Sequence, residues 1–329
     1  MPKILSLALR PRTLSGLYGQ ESMVKAIRNQ MAKRPPQAWL FHGPSGSGKT
    51  TTAGIIAVSY QCSHMQIWGD PCEECWKRRG EFSIHEINAS SVSGVAELEQ
   101  VVEMSRFRPT HDGKRIIILD EAQRISNAAQ NMLLTPFENP PASTVWIICT
   151  TEPSKLLITL RRRCMTYQLK LLSFAGTENF LKRKAAQAKI LLPLGPLLEQ
   201  CNLLQVHAPA MLLMALEKYA AGATAEEAVA GTDESGIDSL RICKAVTSGD
   251  WKGVVDTLKE ATPDSSRLIR ASVSGWLVGC MKRDLNPRNQ EKAALSLIEL
   301  GNPPLEDGVI LQWLWGVLWK VTQRYKIVR

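Results

Sequence analysis

Eight consecutive residues, Gly43-Pro44-Ser45-Gly46-Ser47-Gly48-Lys49-Thr50, satisfy every fixed position of the pattern G-x-x-x-x-G-K-[S/T]. An apolar stretch, Ala38–His42, precedes them and an apolar helical stretch, Thr51–Tyr60, follows. Strand, glycine-rich loop and helix in that order form a phosphate cradle. The glycines let backbone N–H groups turn inward around a β-phosphate at the positive end of the helix. Lys49 is placed to neutralise β and γ oxygens, and the Thr50 hydroxyl to sit on Mg²⁺. Thr51 belongs to the same nucleotide-binding turn. A second constellation lies about seventy residues on, where Ile116-Ile117-Ile118-Leu119 ends in Asp120-Glu121. Carboxylates at the C-terminal end of a buried strand stand where such sheets bind ligands. Asp120 would hold the Mg²⁺ shell, and Glu121 would orient or deprotonate an attacking water. Thr150-Thr151 closes the next strand, where a hydroxyl either holds that water or caps a turn. Together these residues point to hydrolysis of a nucleoside triphosphate.

The elements that must position these groups are legible over residues 1–170. Strands are expected at Ala38–His42, Ile84–Ile87, Arg115–Leu119 and Thr144–Cys149. Helices are expected at Thr51–Tyr60, Val95–Met104 and Asn127–Phe137, the last with Ser126 as N-cap. Alternation of this kind gives a parallel sheet with helices on both faces. Continuous apolar runs suit strands buried on both sides. Pro136 lies inside its helix and should kink it. After Leu171 the strand signals stop. Helices are expected at Gly176–Ala188, Leu197–Cys201, Pro209–Ala221 and Ala225–Ala230, then in a further helical stretch broken at Thr262-Pro263, Asn286-Pro287 and Asn302-Pro303-Pro304. The expected organisation is a nucleotide-binding α/β domain (1–171), a small helical domain (172–231) and a helical C-terminal domain (232–329).

Composition excludes several classes. The chain has 329 residues, 44% apolar and 22% charged, which is ordinary for a globular protein. The longest apolar stretch, Val309–Trp319, is interrupted by Gln312 and Gly316 and falls short of a membrane span. Ile4–Leu9 is about half a signal-peptide core and no small-residue cleavage site follows it. The net charge of +9 is concentrated early: residues 1–170 hold 21 Lys/Arg against 14 Asp/Glu, the remainder 19 against 17. A basic first half suits an anionic partner such as nucleotide or nucleic acid, or simply a solvated surface. Scattered cysteines without a leader read as reduced thiols, so a cytoplasmic location is expected.

Several motifs in series resemble the AAA+ clamp-loader ATPases, most closely the bacterial DNA polymerase III tau/gamma-type subunits. The series is Arg10-Pro11-Arg12-Thr13 with Gly19-Gln20, the phosphate loop, Asp120-Glu121-Ala122, Glu138-Asn139-Pro140-Pro141, Cys149-Thr150-Thr151-Glu152-Pro153 and Arg161-Arg162-Arg163-Cys164. The resemblance covers about residues 8–170. It implies an AAA+ P-loop domain, a helical lid and a helical collar that joins subunits. By position it implies that Lys49, Thr50, Asp120 and Glu121 serve the nucleotide, with Thr151 as γ-phosphate sensor. Arg10, Pro11, Tyr18 and Gly19 would pack around adenine and ribose. Arg163 would act in trans as an arginine finger, a group that contributes on the order of 10³–10⁵ in rate in other nucleotidases.

The family also carries four cysteines where this chain has Cys62, Cys72, Cys75 and then Arg78, which cannot ligate. A Cys-x2-Cys pair is a common half of a tetrahedral zinc site. His64 is the nearest substitute for the fourth ligand of a structural Zn²⁺, and His85 a weaker one. Arg162 stands where the family has Ser, and Ala210 where it has a lid arginine. The chain ends at Arg329, so the longer members' helicase- and polymerase-binding tails are not expected. The trimmed length suits a phage-encoded version as well as a bacterial one.

The resemblance implies an ATP-hydrolysing, Mg²⁺-dependent subunit of a hetero-oligomeric clamp loader, a pentamer. Its other partners would be a sliding clamp and primer-template DNA, with no membrane. Phosphate contacts from Arg106, Arg108, Arg124 and residues 161–163 are candidates for DNA binding, with plain solvation the alternative for each. Trp313, Trp315 and Trp319 are either core or subunit interface. Two other functions stay open: another AAA+ machine, such as a branch-migration motor or helicase loader, and a non-hydrolysing scaffold subunit.

Overall fold

The computed structural model describes residues 5–90, 95–109, 113–229, 239–259, 261, 263–283, 286–301, 303 and 307–325. They fall into two compact units. The first, Leu9–Gly176 with Ala208–Ala210, is built on one parallel sheet of five strands: β1 (Ala38–His42), β2 (Ile84–Asn88), β3 (Arg115–Asp120), β4 (Thr144–Thr150) and β5 (Met165–Gln168). Their spatial order is β2-β3-β4-β1-β5.

The apolar runs are continuous because both sheet faces are covered. Trp39, Phe41, Ile116, Ile118, Val145, Ile147 and Cys149 point into one core, against Ile55 and Ile56 of the helix Lys49–Gln61. The alternate residues Ala38, Leu40, Ile117, Leu119, Trp146 and Ile148 enter the other, against Leu133 and Phe137 of the helix Asn127–Glu138. Successive strand residues face opposite ways, so β1, β3 and β4 each feed both cores. All the expected strands and helices of this region form. Ser126 caps its helix by accepting from the Ala129 N–H at 3.3 Å. Pro136 sits in that helix's last turn, two residues before its end. The edge strand β5 escapes sequence reasoning because its burial merely alternates and it carries no apolar run.

The second unit, drawn from Met1–Ala8, Thr177–His207 and Met211–Arg329, is helical in its described residues. The 231/232 domain boundary expected from the sequence lies outside the described residues, as does much of the Asn302–Pro304 break. Pro263 and Pro287 each open a helix, Pro263–Arg283 and Pro287–Leu300, as the missing N–H of proline favours. Gly275 and Gly279 let the first of these approach Leu203 closely: a Cβ at Gly275 would lie 2.0 Å from the Leu203 carbonyl oxygen. Trp315 packs edge-on against Trp251 at 6.1 Å, whereas Trp319 is 49% exposed. No helix among the described residues is long and apolar enough to cross a membrane.

Candidate nucleotide site and cysteine cluster

Parallel register brings the chemistry to one edge. His42 pairs with Thr150, and Leu119 with Ile148, so β1, β3 and β4 end side by side. From the end of β1 the chain enters the phosphate loop with positive φ at Gly43 (151°), Gly46 (68°) and Gly48 (103°), conformations that side chains resist. At Gly43 the space is closed as well, since a Cβ would meet the Leu169 carbonyl oxygen at 2.4 Å. Gly48 is the N-cap of the helix Lys49–Gln61, whose first N–H groups face the loop. Lys49 is 6% exposed, and its Nζ donates to the carbonyls of Gly43 and Pro44 at 3.0 Å each. Ser47 is 3% exposed and its Oγ is buried without a hydrogen-bond partner. A glycine cradle with such an orphaned hydroxyl fits a phosphate group.

The Thr50 hydroxyl donates to Asp120 Oδ2 at 2.7 Å. Oxygens that share a Mg²⁺ shell at about 2.1 Å stand about 3 Å apart, so this pair fits the cation. Asp120 Oδ1 accepts from the Glu121 N–H at 2.9 Å. Glu121 adopts a left-handed backbone (φ 52°), uncommon for a side chain of its size, which turns the chain sharply at the strand end. Its carboxylate accepts a hydrogen bond from Gln123 Nε2. Gln123 Oε1 in turn accepts from the Thr150 hydroxyl at 2.8 Å and the Thr151 N–H at 3.3 Å. Sequence reasoning missed Gln123, because no motif position marks it.

The remaining expected residues divide. Arg10 reaches the site, with its Nε donating to Thr51 Oγ1 at 2.8 Å. Gly19 has φ 72° and no room for a Cβ beside Leu172. Gln20, next to it, ties this segment to the chain after β5 through two bonds with the Lys170 backbone. Pro11 and Tyr18 belong to the same segment. Ala210 lies against the loop, its N–H donating to the Gly46 carbonyl at 3.2 Å, so a methyl occupies the position. Arg163 pairs with Glu138 at 3.1 Å and donates to the Thr159 carbonyl at 2.8 Å. Arg161 is part-buried; burial, with help from its charge, lowers the His42 pKa. Arg106, Arg108, Arg124 and Arg162 are exposed.

Cys62, His64, Cys72 and Cys75 converge, with one ligand atom from each lying within 4.8 Å of the others. Cys62 Sγ and Cys72 Sγ are 3.8 Å apart, as are Cys75 Sγ and His64 Nδ1. Thiolates bound at roughly 2.3 Å around a tetrahedral centre stand about 3.8 Å apart. The donor set and its spacing therefore fit zinc. Burial, with the adjoining Cys72 and Cys62 thiols, pushes the Cys75 thiol up to about 12. His85 stays outside the cluster, its Nε2 3.3 Å from Ser83 Oγ.

Compared with known proteins, residues 19–173 match the family model "DNA polymerase III, delta subunit". The chain is 34% identical over 167 residues to the DNA polymerase III subunit tau of Bacillus subtilis, covering 49% of this chain and 30% of that one. It is also 34% identical over 173 residues to the subunit gamma of Buchnera aphidicola, covering 51% and 46%. The chain spans less than half the length of these two relatives. A variant of RuvB from Thermotoga maritima shares the fold at a TM-score of 0.51 and 17% identity, over 85% of this chain and 93% of that one. The likeness is one of fold: a parallel sheet flanked by helices, with further helices after it.

Proposed function

We propose that this chain is the ATP-hydrolysing subunit of a sliding-clamp loader. The observation that carries the hydrolytic reading is the Thr50–Asp120 contact of 2.7 Å, which joins the phosphate loop to the carboxylate strand at one sheet edge. The similarity to DNA polymerase III subunits tau and gamma, and the match of residues 19–173 to the delta-subunit family model, support the clamp-loading role. Lys49 and the loop N–H groups bind the triphosphate. Thr50 and Asp120 would hold Mg²⁺, which would supply charge neutralisation to the triphosphate. Glu121 orients the attacking water and takes its proton, and Thr151 contacts the γ-phosphate. Arg10, Pro11, Tyr18 and Gly19 enclose the base and ribose.

Arg163 serves the neighbouring subunit's site. Within its own chain it is held by the part-exposed pair with Glu138. Such a pair is worth only about 0–1 kcal/mol, so a phosphate across an interface displaces it at little cost. Assembly and hydrolysis are then coupled, because each site is complete only beside a neighbour. The partners are other subunits of a pentameric hetero-oligomer, a sliding clamp and primer-template DNA, in the cytoplasm. Zinc on Cys62, His64, Cys72 and Cys75 is structural, since four protein ligands leave no open position. The test is the ATPase rate of the assembled complex with and without primed DNA. Primed DNA should stimulate the unchanged chain, and Arg163→Ala should abolish the stimulation. An isolated monomer that hydrolyses ATP at full rate, indifferent to Arg163→Ala, refutes the reading.

A further inference from the structure

A glutamine amide is a donor at one end and an acceptor at the other, so it can join a carboxylate to a hydroxyl. Gln123 does both. Its Nε2 donates to Glu121 Oε2, and its Oε1 accepts from the Thr150 hydroxyl and the Thr151 N–H. The two ends belong to different strands: Glu121 follows β3, while Thr150 closes β4 and Thr151 follows it. Asp120 fixes the start of the same turn by accepting from the Glu121 N–H, but this bond holds the backbone and leaves the carboxylate to rotate. The left-handed backbone at Glu121 sends the chain back within two residues, which is what brings the Gln123 amide level with the carboxylate. Gln123 also lines an open cleft with Ser126, Lys155 and Arg161.

We propose that Gln123 is a positioning residue for Glu121, fixing the carboxylate relative to the Thr150–Thr151 strand end. This rests on the reading of Glu121 and Thr151 given above. Movement of the strand end that meets the γ-phosphate is passed through one amide to the group that orients the water. Misplacing a reacting group by about 1 Å can cost on the order of 10²-fold in rate.

The experiment is single-turnover ATP hydrolysis by the assembled complex carrying the full chain, with binding of a non-hydrolysable ATP analogue measured in parallel. Gln123→Met keeps the length and removes both hydrogen-bonding ends. It should lower the hydrolysis rate about ten- to a hundredfold while analogue affinity and melting temperature stay unchanged. Gln123→Glu keeps the acceptor for Thr150 and Thr151 but sets two carboxylates side by side, and should lose at least as much. In a Glu121→Gln background, Gln123→Met should cost nothing further, because a residue that acts through another is not additive with it. A merely structural role predicts the opposite: additive losses, with affinity and melting temperature falling together. Full hydrolysis by both Gln123 variants overturns the proposal, as does additivity. If Glu121→Gln itself leaves the rate unchanged, the catalytic reading of Glu121 has failed. A silent Glu121→Gln complex beside a fully active Gln123→Met complex sinks only the positioning role.

Discussion

Two glycine-to-alanine substitutions eleven residues apart should act in opposite directions. At Gly43 φ is 151°, and an added Cβ would lie 2.4 Å from the Leu169 carbonyl oxygen and 3.2 Å from its carbon. That carbonyl has no retreat. Leu169 is fully buried, and its N–H donates to the His42 carbonyl at 2.8 Å, one residue before Gly43. A residue forced into glycine-only backbone costs on the order of 1–3 kcal/mol, and overpacking a closed site costs a further 1–3 kcal/mol or so. Gly43→Ala should therefore destabilise the first unit by about 4 kcal/mol, which for a unit of this size lowers its melting temperature by roughly 8–16 °C. Gly54 lies within the helix Lys49–Gln61, and a Cβ there meets nothing within 4 Å. Alanine relieves the backbone entropy of glycine in a helix, so Gly54→Ala should stabilise by about 0.5–1 kcal/mol. Thermal unfolding of the full chain, followed by circular dichroism and by ATP-analogue binding, reads both. Gly43→Ala should lose analogue binding as well as stability, because the loop can make room only by leaving its cradle geometry. A Gly43→Ala chain that melts with its parent and binds the analogue normally would show that the loop yields freely, and the steric argument would be wrong.

Two further outcomes follow from the same structure. The purified chain should hold one zinc ion, read by metal analysis, and Cys75→Ser should lose it and melt earlier; a metal-free chain of unchanged stability refutes the cluster's role. Burial lowers the pKa of His207, as it does for His42 and His85, the latter two helped by the charges of Arg161 and Arg115. The unfolded chain then binds more protons below about pH 6.5 than the folded one, so stability should fall as pH drops from about 7 toward 5. Denaturant titrations at three pH values test this, and a level or rising stability on acidification contradicts it.

The candidate nucleotide site was legible in the sequence because the pattern it rests on is local. A phosphate loop needs glycines, lysine and threonine within eight residues, and a buried strand ending in two carboxylates announces its own C-terminal edge. The same locality made the strands readable: Ile116 to Leu119 face two cores in alternation, so nothing but apolar residues fits. Other features depend on distances that the sequence cannot express. The edge strand β5 is specified by pairing with β1 rather than by its own composition. Of two candidate histidines, His64 joins the thiols and His85 does not, since the turn between Cys62 and Cys72 folds the former back while the sheet holds the latter. Gln123 gained its place only when β3 and β4 were laid side by side, because its amide spans two strand ends that lie 30 residues apart in the chain. Residue types and short spacings set which chemistry is proposed for the chain. Strand register, a property of the folded sheet alone, decided which groups work together.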